Sequence, residues 1–228
     1  MTTEPQTSSN HPMPFTRLEV VLLGLVDERL QVVLVRRAGA PYKGRWALPG
    51  GVLRIDVDAT LDAAARRVAT ERLNFDPPVL RQVGAVGSRD RDLDRSPWAL
   101  SVVYRAMVTP DTFLPVAGKR VEALAWRPVD EATRDERLAF DHAELIARSV
   151  SAARAEIDRL ELPWASLPPS FTLGELQAWC EQILGSALDK SSFRRRVAAA
   201  DLVAPIDGEV RGGANRPAQL FRARTEPG

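Results

Sequence analysis

The 228-residue chain is poor in the side chains that staple small proteins or bind transition metals. It has one cysteine, Cys180, so no intrachain disulfide forms, and two histidines, His11 and His142, which with a single thiol make no zinc set. A core position on a helix suits Cys180 better than a reactive one. No apolar run approaches a membrane span: the longest, Val20 to Val26, is far short of the ~20 residues required and lacks a signal peptide's flanks. A cytoplasmic protein with no membrane partner is the expectation. Aromatic residues make up only 6%, but 45% of the chain is hydrophobic, enough for a real core.

Charge also lacks a strong overall bias, at net +1, yet it is unevenly placed. Residues 1–165 carry 23 basic and 23 acidic side chains, whereas residues 190–224 carry eight basic against three acidic, Asp201, Asp207 and Glu209. A basic excess confined to the end of a chain is the footprint of a nucleic-acid-binding appendage, because phosphate contacts supply much of such affinity. A short basic cluster also serves as a solvated face, so the elements that carry it must decide.

The patterning predicts an α/β unit followed by a smaller helical one. Residues 1–15 are polar and Pro-rich and read as a disordered lead-in. Two runs, Glu19 to Val26 and Leu30 to Val35, flank Asp27-Glu28-Arg29 as a hairpin, and "APYKGRWALPGG" reads as loop. Leu61 to Leu73 has near-3.6 periodicity, with Thr60 as N-cap and Asn74 as terminator. Strands are predicted at Val79–Val86, from Ala99, and at Val121–Arg127, then a long helix opened by an Asp141/Glu144 capping box. These elements span residues 16–159, and the Pro-containing stretch 160–170 reads as a linker.

Residues 171–228 follow a different grammar. Thr172 and Glu175 form a capping box for a helix through about Leu184, with Leu173, Leu176, Trp179, Cys180 and Ile183 as its apolar stripe. A turn at Gly185, a helix from about Asp189 and two short strands, Leu202–Ile206 and Ala218–Arg222, complete winged-helix grammar. On the helix after Asp189, Phe193 and Val197 face the core. That leaves Lys190, Ser191, Ser192, Arg194, Arg195 and Arg196 outward as candidate DNA contacts, at least one of the arginines being expected to pair with protein instead. "RGGANRPA" adds Arg211 and Arg216 on a thin Gly-rich wing suited to a narrow minor groove.

Within the first unit, "GRWALPGG" followed by an Arg-bearing helix resembles the Nudix box, G-x5-E-x7-R-E-U-x-E-E-x-G-U with U bulky aliphatic. Matched from the helix end, Arg67 takes the family's Arg, and the metal-binding Glu positions fall on Val68, Glu71 and Arg72. Asn74 takes the Gly position, Phe75 the bulky one and Ala59 the upstream Glu, and the Gly51-to-Arg67 spacing is two residues long. Positions 68, 71 and 72 share a helix face on which three carboxylates could hold hard cations against a pyrophosphate. Valine offers no ligand, and arginine puts a fixed positive charge where the ion would sit. The expectation is no catalytic residue, no metal and no enzyme activity.

Lost catalysis leaves binding open. Arg67 and Arg72, with Glu71, Arg45, Trp46, Arg89 and Arg91, form the candidate ligand set, by charge and stacking on a phosphate-bearing nucleotide. Arg67 equally suits a brace to Glu71 or to a backbone carbonyl, and the sequence leaves both roles open.

"FTLGELQAWCEQILGSALDKSSFRRRVAAADLVAPIDGEVRGGANRPAQLFRAR", with "LAFDHAEL" at 138–145, resembles the Nudix-related transcriptional regulators of the NrtR type. The resemblance spans nearly everything from Leu18. It implies a Nudix-like sandwich with a C-terminal winged helix, acting as a homodimer on palindromic double-stranded operators. It further implies repression of NAD biosynthesis or salvage genes, with ADP-ribose or a related nucleotide as effector and no cofactor required. The alternative is an active Nudix hydrolase of ADP-ribose-like nucleoside diphosphates. One departure stands out: the family's R-D-P-R-G-like sensing loop has Leu93 here in place of its Pro, followed by Asp94 and Arg95.

Overall fold

The structure, a computed structural model, describes residues 13–89, 91, 96–109, 113, 116–162, 164, 167–212 and 217–224. Most of the expected lead-in, the Leu93 loop position and Arg216 lie outside the described residues.

A seven-stranded mixed sheet organises residues 15–128. Its strands are β1 (Phe15–Val26), β2 (Arg29–Arg37), β3 (Trp46–Ala47), β4 (Gly50–Val52), β5 (Arg81–Ser88), β6 (Ala99–Met107) and β7 (Val121–Pro128). The order is β3-β2-β1-β6-β5, with β4 also paired to β1 and β7 to β2; β1 and β6 run parallel. Because strand side chains alternate, β1 feeds two cores. Leu18, Val20 and Leu22 join the cluster under helix α1 (Leu61–Leu73), while Val21 and Leu23 join the one under helix α3 (His142–Asp158). Strand β1 is buried on both faces, which is why it reads as a continuous apolar run.

Local chemistry matches several expectations and corrects others. The β1–β2 turn is tighter than the three residues expected: Asp27 and Glu28 both have positive φ, 49° and 59°, and Arg29 already pairs with Val26. Strand β1 begins at Phe15, earlier than Glu19, because its first residues pair with β6. The stretch read as a plain loop contains β3 and β4, short strands that the β1 and β2 edges recruit. Helix α1 has the predicted ends: the Thr60 hydroxyl accepts from Ala63 N–H at 3.1 Å, and Asn74 is left-handed. The Asp141/Glu144 capping box does not form. Asp141 makes no cap bond, its carboxylate instead holding Arg91, and Glu144 pairs with Arg148. A short helix, α2 (Val129–Ala132), also intervenes between β7 and α3.

Beyond α3 come helices α4 (Leu173–Leu184) and α5 (Lys190–Ala199) and a two-stranded wing, β8 (Val203–Arg211) and β9 (Ala218–Ala223). The Thr172/Glu175 box is fully formed, Gly185 terminates α4 in the left-handed region, and the Asp189 carboxylate caps α5 through Ser192 N–H. β8 runs to Arg211, past the expected Ile206, through a register shift near Gly208. The stretch joining the two units is packed rather than free: Leu162 is buried, Trp164 stacks on Phe171, and Phe171 bridges to Phe221. Leu176, Cys180, Ile183, Phe193 and Val197 belong to the same apolar cluster as Val32, Leu34, Leu145 and Ile146. The winged helix is thus docked on the α3 side of the sheet.

Candidate ligand cleft and nucleic-acid interface

On the α1 side, the C-terminal half of α1, the Gly50-Gly51 strand and the turn before β7 enclose a cleft of ≈ 660 Å³. That lies within the roughly 300–1,000 Å³ of small-molecule sites. Its lining carries Arg17, Arg37, Arg54, Arg67, Arg72, Lys119 and Arg120 against one carboxylate, Glu71. Glycine lets the walls close: a Cβ on Gly51 would stand 2.8 Å from Val68 Cγ2. Val68, at the first metal position of the box, is buried in that contact and does not line the cleft.

The arginines divide by partner. Arg67 grips Asp58 with Nε at 2.6 Å and Nη2 at 2.7 Å, and also donates to Val52 O and to Glu71. Arg67 lines the cleft, as a ligand role requires, yet much of its fork is already engaged. Protein acceptors take up its fork, so it braces the loop between β4 and α1, the other role the sequence left open. The hydrogen bonds from Arg67 hold the Asp58 carboxyl below the usual carboxylate range, and Asp58 raises Arg67 in return. Glu71 receives two bonds from Arg54, at 3.0 and 3.2 Å, so a guanidinium stands beside the one carboxylate left in the box. Arg72 donates to two carbonyls, Gly50 O at 2.9 Å and Lys119 O at 3.0 Å. Burial pushes the Arg72 pKa down, and the charges of Arg120, Arg17 and Arg54 add to that against the pull of Glu71. The site is therefore an excess of fixed positive charge with donor-rich walls, which is what a phosphate-bearing ligand needs. Among the described residues, no group of three or more His, Cys, Asp or Glu side chains could hold a metal ion.

Beneath the cleft, Leu48 N–H donates to His142 Nδ1 at 2.8 Å, and the other ring nitrogen is 3.8 Å from Glu19 Oε2. Glu19 is buried and its Oε1 accepts from Arg17 at 2.8 Å. Burial first, and the Arg17 charge after it, drive the His142 pKa down to about 3, so the ring is neutral.

The remaining members of the expected ligand set are elsewhere. Arg45 and Trp46 line a second groove with Arg127 and Arg134, Trp46 lying under the Arg127 guanidinium. Arg91 is tied to Asp141 and to the Ser101 hydroxyl, and Arg89 is exposed just past β5. A single site containing all seven expected residues is corrected to a cleft holding Arg67, Glu71 and Arg72. What the sequence reading missed were Arg54 and Asp58, and the Gly118-Lys119-Arg120 turn. The first two lie within the stretch whose spacing is two residues long, a signal that something had been built there.

On the winged helix, Phe193 and Val197 are buried, and Lys190, Ser191, Arg194, Arg195 and Arg196 are exposed on α5, with Ser192 half-buried. Arg196 donates to the Asp158 carbonyl at the end of α3. Arg211, at the end of β8, pairs with Glu175, whose other oxygen accepts from Thr172 N–H at 2.8 Å. Arg194 and Arg195 make no such tie to the α3 terminus among the described residues, and both are exposed.

Known proteins share both halves of this arrangement. The NUDIX domain pattern matches residues 15–149, and the NrtR DNA-binding winged helix domain pattern matches residues 163–223. The ADPR responsive transcriptional repressor NtrR of Acinetobacter baylyi is 33% identical over 214 residues, covering 94% of this chain and 84% of that protein. Shewanella oneidensis NrtR, solved with a 27mer DNA, superposes with a TM-score of 0.76 at 31% identity, over 92% of this chain and 93% of that one. The NUDIX domain of the same Shewanella protein, solved with ADP ribose, gives a TM-score of 0.56 at 28% identity, over 62% and 90% of the two chains.

Proposed function

The chain belongs to the NrtR-type family of Nudix-related transcriptional repressors, and from that premise we propose that it binds operator DNA through α5 and the wing and is released by ADP-ribose or a close relative held, uncut, in the arginine-lined cleft. The observation that carries this reading is the pairing of Arg54 with Glu71 beside Arg72. Positive charge that a hydrolase borrows from divalent ions is here built into the chain. Val68 provides no oxygen and faces the core. The ligand is bound by guanidinium groups, metal is dispensable, and water is not activated for attack.

On α5, Lys190, Ser191, Ser192, Arg194 and Arg195 face the duplex, with Arg211 reaching from the wing. One winged helix reads too few base pairs to find an operator, so the active species is a homodimer on a palindrome, its half-sites one or two helical turns apart. Genes of NAD biosynthesis or salvage are the regulated set. Helix α3 provides the mechanical link. Its first residue, His142, sits beneath the cleft, and its last, Asp158, holds Arg196 of α5, about 25 Å away along a rod of 17 residues.

The test has two arms. Selection from a random pool of duplex DNA, followed by anisotropy titration, should yield a palindrome whose complex dissociates on addition of ADP-ribose in EDTA. By linkage, a tenfold loss of DNA affinity is about 1.4 kcal/mol of coupling and must appear equally as weaker ADP-ribose binding to the complex. Incubation with ADP-ribose, NADH or dinucleoside polyphosphates in Mg²⁺ or Mn²⁺ should leave them intact. Turnover on the order of 1 per second would make the chain a hydrolase instead.

A further inference from the structure

The turn Gly118-Lys119-Arg120 is built onto the end of α1. Gly118 N–H donates to Arg72 O at 3.0 Å, Lys119 N–H to Glu71 O at 2.7 Å, and the Arg120 carbonyl accepts from Ala38 N–H at 3.1 Å. A Cβ on Gly118 would come within 2.2 Å of Glu71 O, so only glycine permits this contact. Arg120 is held at a φ of 60°, which a non-glycine residue adopts at a cost. The clamp therefore delivers two exposed cationic side chains to the rim of the cleft at the expense of local backbone strain.

Among the described residues, neither cation has a carboxylate to itself. The Lys119 ammonium is 3.9 Å from Glu71, but that carboxylate already takes two bonds from Arg54 and one from Arg67. Among the described residues Arg120 joins no ion pair, and its charge acts on Arg72, helping to lower the Arg72 pKa. Arg72 directs its hydrogen bonds to carbonyls and shares Glu71, 3.9 Å away, with Arg54, Arg67 and Lys119. Like charges gathered in this way repel one another, and an anion bound among them relieves the repulsion. A diphosphate brings two negative charges, whereas Arg54, Arg72, Lys119 and Arg120 bring four positive ones against the single carboxylate of Glu71, which leaves one positive charge over. The rim is charge beyond that need.

We propose that Lys119 and Arg120 form a second anion subsite of the cleft, which takes a third phosphoryl group carried by a nucleoside diphosphate ligand. This rests on the diphosphate reading of the cleft given above and specifies the class of ligand the cleft prefers. The third group is a phosphomonoester on a ribose or the end of a linear triphosphate; the recognising chemistry is the same, two flexible cations on an open rim meeting a terminal dianion.

Calorimetric titrations in EDTA of ADP-ribose, of ADP-ribose phosphorylated on the adenosine 2′-hydroxyl, and of ATP separate the possibilities. With the wild-type protein at low salt, at least one of the triply phosphorylated ligands should bind about tenfold or more tightly than ADP-ribose, and which of the two does so identifies the source of the phosphoryl group. The advantage should shrink as salt rises, since the rim is exposed. In the double variant Lys119→Gln and Arg120→Gln the advantage should vanish, the triply phosphorylated ligands losing more affinity than ADP-ribose does. Both side chains are exposed, and an unchanged melting temperature certifies the fold. Equal binding of all three ligands by wild type, or an advantage that survives the double substitution, overturns the subsite and leaves the diphosphate reading standing. Binding of none of them by wild type overturns both.

Discussion

The two functional regions use the same side chain in opposite ways. In the cleft, Arg67 and Arg72 are 14% exposed and spend their donors on Asp58, Val52 O, Gly50 O and Lys119 O, so their positions are set before any ligand arrives. On α5, Arg194 and Arg195 project from a helix whose only buried residues are Phe193 and Val197. A preorganised arginine recognises a small anion in one geometry and loses little entropy in doing so. A loosely held one adapts to a long polyanion and contributes mainly charge. Burial, more than residue type, decides which task an arginine performs.

The largest effect that would sharpen this contrast is on stability. Replacing Asp58 by Ala leaves the half-buried Arg67 without its main partner, though still bonded to Glu71 and Val52 O, at a cost of about 3 kcal/mol, the lower end for a buried pair. A fall in melting temperature should be clear by calorimetry. An unchanged melt would mean the Arg67 brace contributes nothing. Arg72→Ala should next weaken ADP-ribose binding by roughly 100-fold, the worth of charge-assisted bonds near 2–3 kcal/mol, and Arg72→Lys should recover only part of it because the fork is lost. Equal titration curves for wild type and Arg72→Ala would remove this residue from the site.

A third effect concerns pH. The His142 pKa is lowered from 6.5 to about 3 in the folded protein, so the unfolded chain binds the proton first on acidification. Its contribution is fully present above pH 6.5 and is lost as pH falls from there towards 3, at up to about 1.4 kcal/mol per pH unit. Denaturant melts of wild type and His142→Asn between pH 6.5 and 5 should diverge in slope, the variant being flatter. Parallel curves would contradict a buried neutral ring. The smallest effect is on α5. Arg195→Ala should weaken operator binding and lower the salt slope by about 0.9, whereas Arg196→Ala should do less, since Arg196 already serves the α3 terminus. The reverse ranking would move the DNA face of the helix.

How much could be read from the sequence follows the same division. The winged helix is written in local signals, namely the Thr172/Glu175 box, Gly185, the Asp189 cap and the Phe193/Val197 spacing, and each of these appears as expected. The α1 helix and the Val68/Arg72 replacements were equally legible, because a helix face is a matter of spacing. The cleft was only half legible. Arg54, Asp58, Lys119 and Arg120 reach it through β4 and the clamped turn, and no sequence period announces a contact between Arg72 and residue 119. Arg45, Trp46 and Arg91 were grouped with it by loop proximity in the chain. Long-range pairing takes them elsewhere, and Asp141 in particular binds Arg91 instead of capping α3.

The claim that ties the two regions together is that built-in guanidinium charge replaces metal in the cleft. Titrating ADP-ribose into the wild-type protein in EDTA by calorimetry, with chromatography of the recovered ligand, addresses it in one experiment. The expected result is saturable binding well below millimolar ligand with ADP-ribose recovered whole, unchanged when Mg²⁺ replaces EDTA. Absence of binding at millimolar ADP-ribose, or binding that arises only with Mg²⁺ and is followed by cleavage, would contradict it.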